Sequence, residues 1–398
     1  MSKGNVLKWL GSVLCVFIAQ LSYIENTVAK DELSSLRIIK GPYLQNVKKD
    51  RITIMWETNE KASSCVYYGE TSGYGKKVVR DKLKKIHEIT ISGLREETIY
   101  HYQVGSGVAS ELEEEVTRIT SKDSVFKTAV RENTPFCFAV YGDNRSNEEC
   151  HTRIAEAIVQ KRPDFVLNVG DVVTRGNKYR DWERDFFEPA KELFKNTPFY
   201  IAIGNHEKNA HWFYDFTSFP EPENYYSFDY GNTHFTIVDS NRIAQDIDTS
   251  DLLPGSVQYE WLEKDLKYSD SCWKFVFFHH PPYSSSPHFP EEACEKMRIL
   301  SPLFEKYDVD IVFNGHVHNY ERSYPLKNNK VDMENGVIYV VTGGGGAEFH
   351  SLKEKRSFFT AESAIKHHYC LVKIVEKQLQ MMVYDIESKL LDFLIIRK

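Results

Sequence analysis

Two hydrophobic patterns divide the chain. Over residues 36–130, short segments alternate apolar and polar positions, as in residues 51–56, 87–91 and 98–104, with turns between them. A period of two is typical of strands with one buried face, and strands at this spacing predict an antiparallel β-sandwich. No polar cluster in this segment indicates chemistry, and we interpret the glutamate-rich stretch over residues 111–115 as a solvated loop.

After Pro135 the pattern changes to short runs that are apolar throughout. The runs are residues 136–140, 165–169, 199–203, 235–238, 275–278, 311–313 and 337–341. Stretches with helical periodicity lie between several of them, over residues 148–161, 181–195, 256–268 and 291–307. Runs without a polar face suit strands buried on both sides of a sheet, with the interleaved helices covering the two sides. The sequence therefore predicts an α/β domain over residues 134–398.

Polar clusters follow five of these runs and carry the candidate chemistry. In chain order they are Gly142-Asp143-Asn144-Arg145, Gly170-Asp171, Gly204-Asn205-His206-Glu207, His279-His280 and Gly315-His316-Val317-His318. Ligands in layered α/β folds bind at the carboxyl ends of strands. A mixed set of carboxylate, amide and imidazole groups suits zinc, iron or manganese and argues against calcium or a thiolate-bound metal.

Each cluster alone has a simpler interpretation as a turn or a strand end. Five clusters in order, each after a predicted strand, favour a metal site because the structural context supports every motif. The glycine run over residues 343–346 lacks the lysine and hydroxyl residue of a nucleotide-binding loop, so we interpret it as a loop that approaches the metal site. Six other histidines are interpreted as core or surface residues: His151, His211, His234, His350, His367 and His368.

The five clusters resemble, in order, the G-D-x-G, G-D-x-x-Y, G-N-H-D/E, V-x-x-H and G-H-x-H blocks of the calcineurin-like metallophosphoesterase superfamily. Residues 315–322 are especially similar to purple acid phosphatases, and residues 41–45 resemble the start of the fibronectin type III-like domain of those enzymes. The resemblance implies a fibronectin type III-like sandwich over residues 36–130. It also implies a four-layer α-β-β-α catalytic domain over residues 134–398.

Carried over by position, the resemblance implies two metal ions, with iron, zinc and manganese as candidates. The first ion would be held by Asp143, Asp171 and His318, and the second by Asp171 as a bridge with Asn205, His279 and His316. His206, supported by Glu207, is the candidate for protonating the leaving group or steering phosphate. Candidate substrate contacts are Asn144, Arg145, Arg175 and His280.

Two residues depart from the family pattern on the side of the first metal. Thr174 stands where purple acid phosphatases have the tyrosine that ligates ferric iron, unless another tyrosine such as Tyr179 takes its place. Arg145 stands where the first block has a glycine. An arginine cannot ligate a metal but suits a phosphate oxygen. We therefore expect a colourless protein. Zinc or manganese at both positions fits these ligands as well as a pair of iron and zinc does.

The first 29 residues have the pattern of a signal peptide. Lys3 and Lys8 precede an apolar run over residues 9–24, and small residues follow before a possible cleavage site after Ala29. An uncleaved anchor is the alternative. A secreted or periplasmic protein is expected in either case, with no membrane span beyond this segment.

Composition and net charge limit the classes of partner that can be expected. The 398 residues suggest two or three domains, and the formal net charge of −7 gives no overall attraction to nucleic acid or anionic lipid. The six cysteines after Cys15 are scattered, which leaves zinc-ribbon and thioredoxin-like sites unsupported. The oligomeric state is not predicted.

The resemblance implies hydrolysis of phosphate monoesters on a small phosphorylated substrate, with a metal-activated hydroxide attacking phosphorus in line. A phosphodiesterase or a nucleotide phosphohydrolase would use the same centre. The signal segment and the negative net charge argue against a nuclease of the same superfamily. A surface-binding protein with a degenerate enzyme domain is a further alternative, which the complete ligand set disfavours.

Overall fold

The computed structural model describes residues 36–109 and 116–398. The predicted signal segment over residues 1–29 and the glutamate-rich stretch over residues 111–115 lie outside the described residues. Within the described ranges, no helix combines the length and the apolar composition that crossing a membrane requires.

The strands follow one another along the whole described chain. In order they are β1 Ile38–Gln45, β2 Arg51–Gly69, β3 Lys76–Ser92, β4 Ile99–Ala109, β5 Val116–Thr120, β6 Ser124–Lys127, β7 Phe136–Tyr141, β8 Phe165–Asn168, β9 Phe199–Ile201, β10 Tyr226–Tyr230, β11 Thr233–Ile237, β12 Trp273–Phe277, β13 Ile311–Asn314, β14 Tyr320–Ser323, β15 Leu326–Lys327, β16 Lys330–Val331, β17 Ile338–Thr342, β18 Thr360–Ala364, β19 His368–Val375, β20 Gln378–Asp385 and β21 Leu390–Arg397.

Within the described residues, the helices all follow β7. They are α1 Glu148–Lys161, α2 Tyr179–Asp181, α3 Lys191–Phe194, α4 His211–Phe216, α5 Asn241–Gln245, α6 Val257–Tyr268, α7 Glu291–Met297 and α8 Ser301–Lys306, with a π-helical turn at Trp182–Phe187 and a 3-10 turn at Arg298–Leu300. The side chain of Asn147 caps α1, and that of Ser256 caps α6, each by accepting a backbone N–H of the first turn.

The N-terminal sandwich consists of β1 to β6, all antiparallel. The first part of β2 pairs with β1 and its last part with β4, while β3 runs along its other edge. Trp56 is fully buried on β2, and its indole N–H donates to Ser106 Oγ at 2.9 Å, so its polar group is satisfied within the core. The prediction of an all-β sandwich is confirmed.

Two mixed sheets form the second domain. One has the order β10-β11-β12-β13-β17-β14-β18, and the other has the order β21-β20-β19-β7-β8-β9. Their inner faces meet through aromatic rings: Phe138 of β7 lies edge-on to Phe235 of β11 at 5.1 Å and to Phe275 of β12 at 5.5 Å. Helices cover the outer faces, which bury further apolar clusters. The predicted four-layer α-β-β-α fold is confirmed.

The sequence pattern missed the strands β19 to β21, which extend one sheet beyond β7 as an antiparallel meander. Residues along β20 alternate between buried and half-buried positions, because that strand has one face on the core and one towards solvent. A search for runs that are apolar throughout does not detect such a strand.

The helix predicted over residues 181–195 is interrupted. Pro189 has no N–H to donate, so the carbonyl of Asp185, four residues earlier, lacks its helical partner. That carbonyl instead accepts from Nδ1 of His151 at 2.7 Å and from Nδ2 of Asn144 at 3.1 Å. The carbonyl that the break leaves free thus holds the side chain of Asn144, the residue that follows Asp143.

Tyrosine hydroxyl groups join the two domains. Tyr102 donates to the carbonyl of Lys195 at 2.6 Å, and Tyr43 donates to that of Phe216 at 3.1 Å. Each bond runs from the sandwich to the α/β domain and satisfies a polar group buried between them.

The topology brings the five clusters to one place. β7, β8 and β9 are parallel neighbours in one sheet, and β12 and β13 are parallel neighbours in the other. Their carboxyl ends lie on the same side of the domain, so the loops that follow them converge there.

Candidate metal centre

The six predicted metal ligands come together at the carboxyl ends of these five strands. Donor atoms of Asp143, Asp171 and His279 lie within 4.8 Å of one another, as do those of His279, His280 and His316. The two groups share His279, so they form one continuous cluster of donors. We call the donors of Asp143, Asp171 and His318 the first position, and those of Asp171, Asn205, His279 and His316 the second position.

The second position is the more tightly assembled. Oδ1 of Asn205 lies 3.0 Å from Nε2 of His279 and 3.0 Å from Nδ1 of His316. These two ring nitrogens are 3.3 Å apart, and Oδ2 of Asp171 lies 3.3 Å from Nε2 of His279. Four donor atoms on four loops therefore face one small volume.

Hydrogen bonding of His279 determines which of its nitrogens faces that volume. Its Nδ1 lies 2.8 Å from the carbonyl oxygen of Val169, which accepts but cannot donate, so Nδ1 carries the hydrogen. In the neutral ring the lone pair of Nε2 then points at Oδ1 of Asn205 and Oδ2 of Asp171, which are also acceptors. Acceptors held this close together need a positive charge between them.

The pKa values of the two imidazoles report the same need for a cation. Burial lowers the pKa of His279, but the carboxylates of Asp171 and Asp143 outweigh burial and raise it to about 9. Burial and the neighbouring His279 hold the pKa of His316 well below its ordinary value. The cluster therefore stabilises one imidazolium, that of His279, and disfavours a second one at His316.

The first position has a different environment. Nδ1 of His318 donates to the carbonyl of Glu348 at 2.6 Å, so its Nε2 lone pair faces Oδ1 of Asp143 at 3.5 Å. The guanidinium group of Arg145 lies beside it, with Nε 3.3 Å from Oδ2 of Asp171 and Nη2 3.4 Å from Nε2 of His318. A protein cation thus contacts two of the three predicted ligands of this position.

Unusual backbone conformations hold three of the predicted ligands. Asp143, Asp171 and His316 have φ values of 56°, 56° and 66°, in the left-handed region that residues with a side chain rarely adopt. Such strained residues cluster at functional sites, where the surrounding structure holds them in place. At Gly315 a Cβ atom would lie 2.5 Å from Oδ2 of Asp143, so the close approach of these two loops requires a glycine.

Glu207 binds backbone N–H groups around the second position. Its fully buried carboxylate accepts from Gly204 at 2.6 Å and from Asp171 and Val172 at 2.9 Å each. Burial and the charge of Asp171 raise its pKa to about 7. The sequence predicted that Glu207 supports the ring of His206; the structure directs its oxygens to the loops that carry Asp171 and Asn205.

His206 lies at the opening of the cluster. Its Nδ1 donates to the carbonyl of Thr174 at 2.7 Å, and its backbone N–H donates to Oδ1 of Asp171 at 2.9 Å. Nε2 is 3.9 Å from Oδ2 of Asp171, and the side chain is 27% exposed. This nitrogen is therefore accessible from the side on which a substrate could enter.

Two predicted substrate contacts are fully buried. Nδ2 of Asn144 donates to the carbonyls of Val172 and Asp185, and Nδ1 of His280 lies 2.9 Å from Oγ of Ser240. Asn144 therefore braces the loop after β8, and His280 packs behind His316, with ring centroids 4.5 Å apart. Neither side chain faces solvent.

The two predicted arginine contacts are more accessible. The side chain of Arg145 is 18% exposed and that of Arg175 is 54% exposed. Arg175 is paired with Asp181 through Nε at 2.7 Å. Arg145 therefore lies at the donor cluster itself, whereas Arg175 lies at its rim.

Thr174 occupies the position at which the family has a metal-binding tyrosine. Oγ1 of Thr174 lies 3.2 Å from Oγ of Ser146, and the hydroxyl of Tyr179 donates to Oε2 of Glu57 at 2.9 Å in the domain interface. The alternative in which Tyr179 replaces the absent ligand is wrong, because its hydroxyl is engaged with the other domain.

Two histidines that the sequence reasoning did not assign stand next to the first position. His350 stacks on His318 with ring centroids 3.9 Å apart, and His288 stacks on His350 at 4.3 Å. The backbone N–H of His318 also donates to Nδ1 of His350 at 3.3 Å. His350 was interpreted as a core or surface residue, and no spacing in the sequence links it to His318. The glycine loop over residues 343–346 does approach the site, since a Cβ on Gly343 would lie 2.8 Å from Oδ2 of Asp143.

Comparison with known proteins defines the class. Residues 138–320 match the sequence model of the calcineurin-like phosphoesterases, and residues 41–128 match that of the purple acid phosphatase N-terminal domain. The yellow lupin (Lupinus luteus) purple acid phosphatase PPD1 has the same fold, with a TM-score of 0.77 and 21% identity over 91% of this chain and 74% of that chain.

Curated relatives give the family. Purple acid phosphatase 18 of Arabidopsis thaliana is 30% identical over 323 residues, which cover 74% of this chain and 68% of the relative. Purple acid phosphatase 15 of the same plant is 31% identical over 303 residues, covering 66% of this chain and 53% of the relative, so the chain spans about half of its length. The chain belongs to the purple acid phosphatase family.

Proposed function

We propose that this chain is a metal-dependent hydrolase of phosphate monoesters. One observation carries the proposal: the donors of the second position converge at 3.0–3.3 Å beside two accessible groups suited to phosphate, His206 and Arg145. Family membership supports the same class of reaction.

The donor set fits the two ions that the family implies. Asp171, Asn205, His279 and His316 would hold one ion, and Asp143, Asp171 and His318 the other. Oxygen and nitrogen donors suit zinc, manganese or iron, and Thr174 stands at the position of the family's tyrosine. When bound, such ions supply Lewis-acid chemistry, which activates water and neutralises phosphoryl oxygens.

The residues of the chain orient the substrate and move a proton. Nδ1 of His206 donates to the carbonyl of Thr174, so in the imidazolium form Nε2 carries the proton that is available to the leaving alkoxide. The guanidinium group of Arg145 is 18% exposed and can bind a phosphoryl oxygen as negative charge develops on the phosphate during in-line attack. Glu207 keeps the loops of Asp171 and Asn205 in place through its backbone contacts. We further propose an extracytoplasmic location, on the predicted signal segment.

The test compares an aryl phosphate monoester with its diester on the purified protein, together with its metal content. We expect faster hydrolysis of the monoester, loss of activity on chelation, and recovery with zinc or manganese. His316→Ala should lose bound metal and at least about 100-fold in activity, because loss of even an outer-shell partner of a metal ligand costs 10–100-fold.

Several outcomes would contradict the proposal. Preferential hydrolysis of the diester would favour a phosphodiesterase, and a folded protein without bound metal or activity would favour a binding role. A His316→Ala protein with full metal content and turnover would reject the ligand assignment.

A further inference from the structure

The first and second positions differ in what faces their donors. At the second position, Nε2 of His279 is surrounded by Oδ1 of Asn205, Nδ1 of His316 and Oδ2 of Asp171. None of these three atoms belongs to a permanently charged cation. Arg145 contacts this group at one atom, Oδ2 of Asp171, at 3.3 Å. The remaining positive charge that these acceptors require must come from outside the chain or from a proton.

At the first position the chain supplies a cation itself. A guanidinium group is always charged and offers N–H groups in a fixed planar fork. Nε of Arg145 lies 3.3 Å from Oδ2 of Asp171, and Nη2 lies 3.4 Å from Nε2 of His318. The same group therefore contacts two of the three donors that an ion would use.

The first position also has fewer donors. Oγ1 of Thr174, at the place of the family's tyrosine, lies 3.2 Å from Oγ of Ser146. Three protein donors remain, and one of them, Asp171, is shared with the second position. An ion entering here has to displace the arginine from Asp171 and His318 and then bear the repulsion of a like charge nearby.

We propose that Arg145 acts as a built-in competitor for the first ion, so that the protein binds one metal ion tightly at the second position and another more weakly at the first. This inference rests on the proposed two-ion site and adds an order of filling to it. We expect the two dissociation constants to differ by at least about 10-fold, the lower end of the range over which groups next to metal ligands change affinity.

The experiment is a calorimetric titration of the chelated, metal-free protein with Zn²⁺, with bound zinc counted by mass spectrometry after gel filtration. Wild type should take up one ion tightly and a second at least about 10-fold more weakly. Arg145→Ala should narrow this gap, whereas Arg145→Lys, which keeps the charge, should retain most of it. Arg175→Ala is the matched control, because Arg175 pairs with Asp181 at the rim and should leave the gap unchanged. Thermal unfolding of each metal-free variant shows whether it is folded.

The possible outcomes distinguish failure of this inference from failure of the proposed function. Two ions of equal affinity in wild type, or an unchanged gap in a folded Arg145→Ala protein, would overturn the inference while leaving the two-ion hydrolase intact. Failure of wild type to bind zinc or manganese at either position would overturn the proposed function, and the inference with it.

Discussion

His87 in the sandwich and His279 in the α/β domain are both completely buried, and the two rings have opposite surroundings. In the sandwich, His87 stacks on Trp56 at 4.7 Å, with Nδ1 2.7 Å from Oγ of Ser64 and Nε2 2.8 Å from Oγ1 of Thr58. A hydroxyl can donate or accept, so both nitrogens of the neutral ring are satisfied. Burial, with a smaller effect of the charge of Lys84, lowers the pKa of His87 to about 4, which keeps the ring neutral.

His279 in the α/β domain is equally buried but lacks such partners. Its Nε2 faces an amide oxygen, a carboxylate and another imidazole, and its pKa is raised to about 9 in spite of burial. Burial alone therefore does not distinguish a structural histidine from a ligand. The donor and acceptor types of the neighbouring atoms do.

The same substitution at both histidines gives the largest expected difference. His279→Phe should lose metal and at least about 100-fold in activity, because it removes a ligand of the second position. His87→Phe should cost about 1–3 kcal/mol in unfolding free energy, because it removes the ring's hydrogen bonds to two buried hydroxyls and leaves that of Ser64 without this partner. The activity of His87→Phe per folded molecule should match that of the wild type. Metal analysis, initial rates and urea unfolding of the two variants provide the measurement.

Equal losses of activity in folded His87→Phe and His279→Phe would show that the comparison between the two rings is wrong. Retention of full metal content by His279→Phe would have the same consequence for the ligand assignment.

Lys40 extends the comparison to a buried charge. Its Nζ lies 2.6 Å from Oε2 of Glu57, 3.2 Å from the hydroxyl of Tyr179 and 3.4 Å from Oε2 of Glu183. Because Glu57 would remain buried without its partner, Lys40→Met should lower the unfolding free energy by about 3–5 kcal/mol. The change should appear in urea unfolding of the metal-free protein.

The double variant Lys40→Met/Glu57→Gln is the control for this buried pair. Removal of both charges should recover most of the lost stability. If the double variant is no more stable than Lys40→Met, the lost stability does not come from the unpaired carboxylate.

His234 provides a third type of buried histidine. Nδ1 lies 2.7 Å from Oδ1 of Asp229, and Nε2 lies 2.9 Å from Oδ2 of Asp265. Burial lowers its pKa, but the two carboxylates outweigh burial and raise it to about 9. Since the folded pKa is above the unfolded value of about 6.5, the ring stabilises the fold fully below pH 6.5 and loses this contribution as pH rises to about 9.

The contribution of His234 is expected to be about 2–3 kcal/mol, at the lower end because the side chain of Asp229 is 70% exposed and its charge is screened. His234→Gln should remove this part of the pH dependence. Unfolding free energies measured from pH 6 to pH 9.5 on both proteins check it. Parallel curves for the two proteins would contradict the charged state of His234.

Much of the site could be predicted because the ligands directly follow their strands. Asp143, Asp171 and Asn205 end three parallel neighbours, so a search for apolar runs followed by polar clusters finds them. The antiparallel strand β20 escaped that search because buried and half-buried positions alternate along it. The interruption of the helix at Pro189 was also missed, although the proline is visible in the sequence.

The sequence by itself predicted the two-domain organisation and the candidate donors, because apolar periodicity and strand-end loops are local properties of the chain. Only the tertiary structure decided the state of each donor. Val169 orients His279, Glu348 orients His318, and Arg145 reaches Asp171 from another loop. These partners are far apart in sequence, and the direction of a hydrogen bond depends on which atoms folding brings within about 3 Å. The unequal surroundings of the two metal positions follow from these contacts.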